Sequence, residues 1–389
     1  IQKYIKFFGS KERTQKFYDL EIDKFTKDSI EVAIMSVLCK TRTASFEEVV
    51  RVVITDDGFE DNKFLAEFKK YELLDAFWRL CEEQFGYTDS KPTIEKLVMT
   101  MFVTYTARCV TGELPKAWNG FVSYKSGNII AFMDNLMNNV LYRERYDEIS
   151  NMMAASLKVA DAFNRYSPEI LIDCDTFLII DICILNWITE RLLNEDTGAK
   201  LVNLDIPAVC QQRINKHFGT QMQDQYRMVS SAFHIVAAAR YVCPDDMEGI
   251  IDKYCSKDYL IDRFYREFYS YYDRIEDTVP YEKLRELVEN IYTNEYLAKV
   301  LPKWNAAITA DESMTVMPLQ RNFFDKYISN SKDRVVVIIS DALRYETGYS
   351  LYEKLQDDAK CTVKMDAMMS TLPSYTRLGM AALLPHKQL

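Results

Sequence analysis

Histidine is scarce in this 389-residue sequence, with three in all, and tight-turn residues are few, with 11 glycines and 10 prolines. So little Gly and Pro implies long helices with few sharp turns. Neither a G-x-G-x-x-G nor a G-x-x-x-x-G-K-[ST] run accompanies the strand-like segment near residue 335, which removes the usual support for a nucleotide-binding α/β domain. The nine cysteines are scattered, odd in number and free of any C-x-x-C pair, so they read as reduced core thiols of a cytoplasmic protein rather than a disulfide framework or a zinc site. No apolar run reaches the length of a membrane span, and the visible N-terminus has no signal-peptide core. A net charge of −10 argues against a broad non-specific nucleic-acid surface, because neutralising phosphates takes clustered Lys and Arg. Lys3, Lys6, Lys11, Arg13 and Lys16 concentrate positive charge locally, as an ordinary solvated helix face does.

What the chain has in abundance is helix-forming, aromatic sequence: 13% of its residues are Phe, Trp or Tyr, including 25 tyrosines. Apolar residues at three- and four-residue spacing predict helices over 11–25, 29–39, 46–54, 65–84 (with a break) and 93–110, a first bundle. Gly112 to Gly127 is the best candidate for an internal linker or loop. A second set follows over 128–138, 142–166, 176–194, 207–218, 222–242, 247–255, 259–275 and 281–306, with Asp246 placed to cap the helix after Pro244. Tyr265, Tyr269, Tyr271 and Tyr272 form an aromatic patch whose helical spacing favours core packing over stacking on bases. No fixed-period repeat occurs, so the chain is not read as a solenoid.

The chemistry-bearing signal lies near the end. Arg334 to Ser340 is almost all β-branched and apolar, the pattern of a strand buried on both faces of a parallel sheet, and it stops at Asp341 before a helix from Arg344 to about Gln356. An acid at the carboxyl end of such a strand sits where open α/β sheets bind ligands, although Asp341 serves equally well as a helix cap. A second strand is expected over Cys361 to Met368. Leu372-Pro373-Ser374 then forces a turn, and Thr376 opens a helix through Leu384. Thr376 reads either as a simple cap or as a hydroxyl nucleophile at a helix N-terminus, where backbone N–H groups favour a phosphoryl oxyanion. Together the two suggest one crevice in which Asp341 holds a divalent cation that lowers the pKa of the Thr376 hydroxyl. Ser374 and Thr371 precede the helix and are lesser nucleophile candidates. Arg344 is placed either to bind a substrate phosphate or to pair with Glu346.

The runs DALRYE (Asp341 to Glu346) and LPSYTRLGMAALLP (Leu372 to Pro385) resemble the opening motifs of the PglZ domain, a branch of the alkaline phosphatase superfamily. The helical stretch upstream and the opening KYIKFFGSKERTQKF look like the type 1 BREX version, so the resemblance implies part of a PglZ protein lacking both ends. BREX is a bacterial phage-defence system that also contains a DNA methyltransferase and ATPases. Carried over by motif, the resemblance makes Asp341 a metal ligand and Thr376 the metal-facing nucleophile, with zinc or manganese as the ion. The superfamily's two-metal site needs later Asp and His ligands that His217, His234 and His386 do not match, so this stretch is expected to hold at most one ion weakly and to be inactive alone. His217 and His234 read as packed or surface residues, and His386 as a tail residue near the site entrance.

The resulting expectation is a mainly α region followed by the first strands and helices of an alkaline-phosphatase-like α/β domain: a bundle over 1–111, a second helical region over 112–314 and the α/β part over 315–389. Two functions are compatible with it. One is a metal-dependent phosphohydrolase, phosphodiesterase or nuclease acting on DNA or a nucleotide. The other is a non-catalytic scaffold whose helices recruit a methyltransferase, an ATPase or small partner proteins of the same defence system, with no membrane involved.

Overall fold

The computed structural model describes residues 2–310 and 316–387. The chain is helical over most of that length. It divides into two compact units, the first made of 1–187, 200–204 and 211–223, the second of 188–199, 205–210 and 224–389. The boundary expected near residue 315 falls on 311–315, outside the described residues.

Local chemistry sets the helix limits in the first unit. Thr26 and Ser29 cap each other reciprocally at the start of Lys27–Cys39, and Lys40 ends that helix in the left-handed conformation with φ 58°. Ser45, Asn62 and Thr93 accept first-turn amides in the same way. The break expected within 65–84 is real, because Lys63–Lys70 and Leu74–Phe85 are separated by Glu72 at φ 62°. The stretch read as a linker or loop is a loop carrying one 3-10 turn, Lys116–Phe121, whose buried Trp118 donates its indole N–H to the Leu157 carbonyl at 3.2 Å.

The core of this unit is aromatic, with Phe102 stacked on Tyr146 and Phe177 at 5.5 and 5.6 Å. Inside it lies Arg213, fully buried, whose guanidinium grips both oxygens of buried Asp181 at 2.8 Å and the carbonyls of Ile172 and Cys174 at 2.8 Å. Such a charge is tolerated out of water because its donors are matched by a bidentate carboxylate and backbone oxygens. Gly219 is required beside it, since a Cβ there would lie 1.7 Å from the Arg213 carbonyl oxygen. His217 packs in the same region, with Nε2 2.5 Å from Asp147 Oδ1.

The second unit carries the helices Tyr259–Tyr272, Glu282–Asn290, Ala298–Ala310, Tyr345–Gln356 and Thr376–Leu383. The tyrosine patch is half-buried rather than in the core: Tyr265 and Tyr269 both donate to Glu289 Oε2 at 2.7 Å, and the ring of Tyr265 stacks on Tyr292 at 3.7 Å. The expected helix over 281–306 is interrupted by a π-helical turn, Ile291–Leu297. His234 stacks on Phe264 at 4.0 Å.

The strands differ from expectation. Among the described residues the sheet consists of two-residue strands, Lys200–Leu201 and Leu204–Asp205. Neither 334–340 nor 361–368 forms a ladder. What pairs there is a single parallel bridge between Leu319 and Met369. The reason is that a strand exists through its neighbours: Val336 and Ile338 are 72% and 90% exposed, so the apolar run has neither a cover nor a hydrogen-bonded partner.

Candidate functional site

Asp341 and Thr376 come together. The Thr376 hydroxyl donates towards the Asp341 carboxylate, with Oγ1 3.4 Å from Oδ1 and 3.3 Å from Oδ2, across 35 residues of sequence. Both side chains are exposed to solvent. Asp341 is set by a tight turn in which its Oδ1 accepts the Ala342 N–H at 3.0 Å, and Ala342 takes φ 55°, a left-handed conformation uncommon for a residue with a Cβ. Asp341 therefore does not cap the following helix. Arg344 stands at that N-cap and provides no side-chain acceptor.

Thr376 is the first residue of its helix, Thr376–Leu383, after the turn containing Leu372 and Pro373. The N-cap, Tyr375, offers no side-chain acceptor to the first-turn amides. Those donors, together with the helix dipole, are thus available to an anion beside the hydroxyl.

The helix Tyr345–Gln356 anchors the Asp341 turn. Tyr345 donates to the Cys255 carbonyl at 3.1 Å, the Tyr349 ring meets Tyr259 at 4.4 Å, and Glu353 pairs with Arg263 at 2.8 Å. Glu346 is 1% exposed. Its Oε2 accepts its neighbour's amide, from Thr347, at 2.6 Å, while Oε1 lies 3.4 Å from Arg266 Nε and 3.9 Å from Arg344 Nε. Arg344 thus faces Glu346, with its own side chain 71% exposed.

Beside the turn a cavity of about 710 Å³ opens, lined by Tyr254, Asp262, Tyr292, Trp304, Val337 and Arg344 among others. Neither Asp341 nor Thr376 lines it. Burial raises the Asp262 carboxyl above the ordinary range, partly offset by hydrogen bonds from the Tyr254 and Tyr292 hydroxyls at 2.6 and 2.9 Å. Burial, reinforced by Asp262, pushes both phenols up in turn.

Among the described residues no group of three or more His, Cys, Asp and Glu side chains is placed to hold a metal. The donor pair is nonetheless of the right kind. A carboxylate and a hydroxyl with oxygens 3.3 Å apart fit two neighbouring ligand positions of one small divalent ion whose metal–oxygen distances are about 2.0–2.2 Å. The residues present thus supply part of a coordination sphere. Of the other candidates, Ser374 stands in the turn before the helix and Thr371 is held by Gln320. His217 and His234 pack elsewhere, and His386 lies exposed with Nδ1 2.7 Å from the Leu384 carbonyl.

Residues 320–389 match the family described as the BREX system PglZ alkaline phosphatase-like domain. The whole chain aligns at 30% identity with 46% of the Alkaline phosphatase-like protein PglZ of Bacillus cereus (strain H3081.97). It also aligns at 28% identity with 48% of the Alkaline phosphatase-like protein BrxZ of Escherichia coli O9:H4 (strain HS). The chain spans about half the length of the curated relatives it matches. No solved structure matches it. Among the described residues no helix is long and apolar enough to cross a membrane.

Proposed function

Because the chain belongs to the PglZ family of BREX systems, with its alkaline phosphatase-like region over 320–389, we propose that the protein it represents is a metal-dependent phosphohydrolase or phosphodiesterase of phage defence. Thr376 is its nucleophile and Asp341 a metal ligand. The observation that carries this reading is the approach of the Thr376 hydroxyl to both Asp341 oxygens at the opening of an uncapped helix.

In that arrangement Asp341 orients the hydroxyl and accepts its proton. The Thr376 oxygen attacks phosphorus to form a phosphothreonine ester while the ester oxygen leaves and takes up the proton, water then cleaves that ester to restore the hydroxyl, and the first-turn amides face the non-bridging oxygens that gain charge. A bound zinc or manganese ion would contribute Lewis-acid polarisation and a lowered hydroxyl pKa. Arg344, exposed with Nε 3.9 Å from Glu346, would bind a substrate phosphate bidentately in this reading. The substrate is a nucleotide or DNA phosphodiester. The complete two-ion site takes further ligands from outside this stretch, which by itself holds at most one ion weakly.

The test is hydrolysis of a chromogenic phosphodiester by the full-length protein with and without zinc or manganese. Turnover should require metal, fall by at least about 10³-fold in Thr376→Ala and Asp341→Ala, and be absent from this stretch alone. Equal turnover in wild type and both variants removes the two residues as catalysts.

A scaffold reading is favoured by one observation, the extent of helix outside 320–389, where Val140 and Leu141 stand exposed. In it, residues 1–111 and 112–314 form a platform for the methyltransferase, the ATPase or small partner proteins. No metal giving turnover in the full-length protein would favour it, with partner capture by residues 1–315 as the next step.

A further inference from the structure

The hydroxyl of Thr376 can meet Asp341 only if the turn and helix that carry it are held against the rest of the unit, and one side chain holds both. Gln320 joins the 369–371 segment through its backbone: its N–H donates to the Met369 carbonyl at 2.9 Å, next to the Met369 N–H that donates to the Pro318 carbonyl at 2.8 Å. Its carboxamide then divides its two functions. Oε1 accepts the Thr371 N–H at 3.0 Å and the Thr371 hydroxyl at 3.4 Å, while Nε2 donates to the Gly379 carbonyl at 3.2 Å. Thr371 lies five residues before Thr376 and Gly379 three after it, so a single amide spans the nucleophile's segment from both sides. The fit is close, since a Cβ on Gly379 would sit 3.4 Å from Nε2. Oε1 is an acceptor only and Nε2 a donor only, so the side chain cannot be turned round without facing acceptor to acceptor and donor to donor.

We propose that Gln320 is a positioning residue for the Thr376 nucleophile, fixing the turn so that the hydroxyl faces Asp341. The inference rests on the phosphohydrolase reading for its catalytic consequence, but not for its structural one. Gln320 touches neither reacting atom, and its effect is transmitted through Thr371 and Gly379. Its loss should therefore lower kcat and leave KM nearly unchanged, because small misplacements of a reacting group cost up to about 10²-fold in rate.

The decisive variant is Gln320→Glu. When protonated, a glutamic acid has one acceptor and one donor and reproduces the amide's pattern. When ionised it is acceptor-only and places negative charge against the Gly379 carbonyl. In the full-length protein, amide hydrogen exchange over 369–379 and metal-dependent turnover are each compared with wild type at matched pH from 8 down to 4, a range that crosses the ordinary glutamate pKa of about 4.3. Gln320→Ala should lose protection and kcat at every pH. Gln320→Glu should lose both at pH 8 and regain both as pH falls. Unchanged exchange over 369–379 in Gln320→Ala overturns the inference, and so does a Gln320→Glu deficit that stays flat with pH. If wild type shows no turnover with either metal, the phosphohydrolase reading fails, while the pH rescue of exchange in Gln320→Glu still decides whether Gln320 positions the turn.

Discussion

Two aspartates, one in each unit, do opposite work. In the first, Asp181 is enclosed, and each of its oxygens is matched to Arg213 at 2.8 Å. In the second, Asp341 is exposed and meets a Thr376 hydroxyl at 3.3–3.4 Å, at the long edge of hydrogen bonding. The first carboxylate has spent its acceptor capacity on the fold, whereas the second keeps lone pairs free for a ligand. The same residue type is structural or chemical according to how completely its partners are already supplied, and that contrast can be measured.

The sharpest test of the enclosed side is Asp181→Ala. It removes the carboxylate that meets the buried Arg213 guanidinium through both oxygens, and breaking such a pair costs about 3–5 kcal/mol. A chemical-denaturation midpoint should fall accordingly, or the protein should fail to accumulate in folded form. A loss below about 1 kcal/mol would mean that the Ile172 and Cys174 carbonyls, with Asp175 at 4.0 Å, hold the arginine without Asp181. Glu346 is a buried carboxylate of the second unit, between Arg266 and Arg344. Glu346→Ala should cost about 1–3 kcal/mol, less than Asp181→Ala, because both arginines are partly exposed and regain water. An equal loss in the two variants would erase the distinction between the units.

How much of this was legible in sequence follows from the range of the interactions. Helix limits written by neighbours could be read: a break within 65–84, Asp246 as a cap and the helix opening at Thr376 are all set within a few residues. Asp341 and Thr376 could be named as a pair because each stands next to a local start signal. The Arg213–Asp181 pair, 32 residues apart, left no pattern, since neither residue differs in sequence from a surface charge. Gln320 was missed for the same reason, its contacts lying 51 and 59 residues away. Ala342 was missed because a left-handed position usually signals itself by glycine or asparagine, and here it does not. The strands over 334–340 and 361–368 were read from a true apolar pattern, but a ladder belongs to two segments, and the pattern of one cannot show that the other pairs with it.

A smaller effect separates buried from exposed groups by pH. Burial against Phe264 lowers the His234 pKa below its usual 6.5, opposed by Asp205 and Glu267. With the folded value below the unfolded one, the unfolded chain binds more protons as pH drops under 6.5, so this residue's contribution turns against folding in that window. The unfolding midpoint should therefore fall more steeply between pH 7 and 5.5 in wild type than in His234→Gln. Parallel curves would show that His234 titrates alike in both states.

The smallest stability effect is expected where the largest functional one is. Asp341→Ala removes only an exposed turn contact to Ala342 and the long contact to Thr376. Thr376→Ala places a better helix former at the first helical position. Each should shift stability by no more than about 0.5 kcal/mol. If Asp341 instead held its turn in place, its loss would release Ala342 from φ 55°, and hydrogen exchange at 342–345 would rise with a stability loss above about 1 kcal/mol. Near-neutral stability combined with lost turnover would locate the pair's role in chemistry. A marked stability loss in Asp341→Ala would place that residue with Asp181, as a carboxylate whose lone pairs the fold already uses.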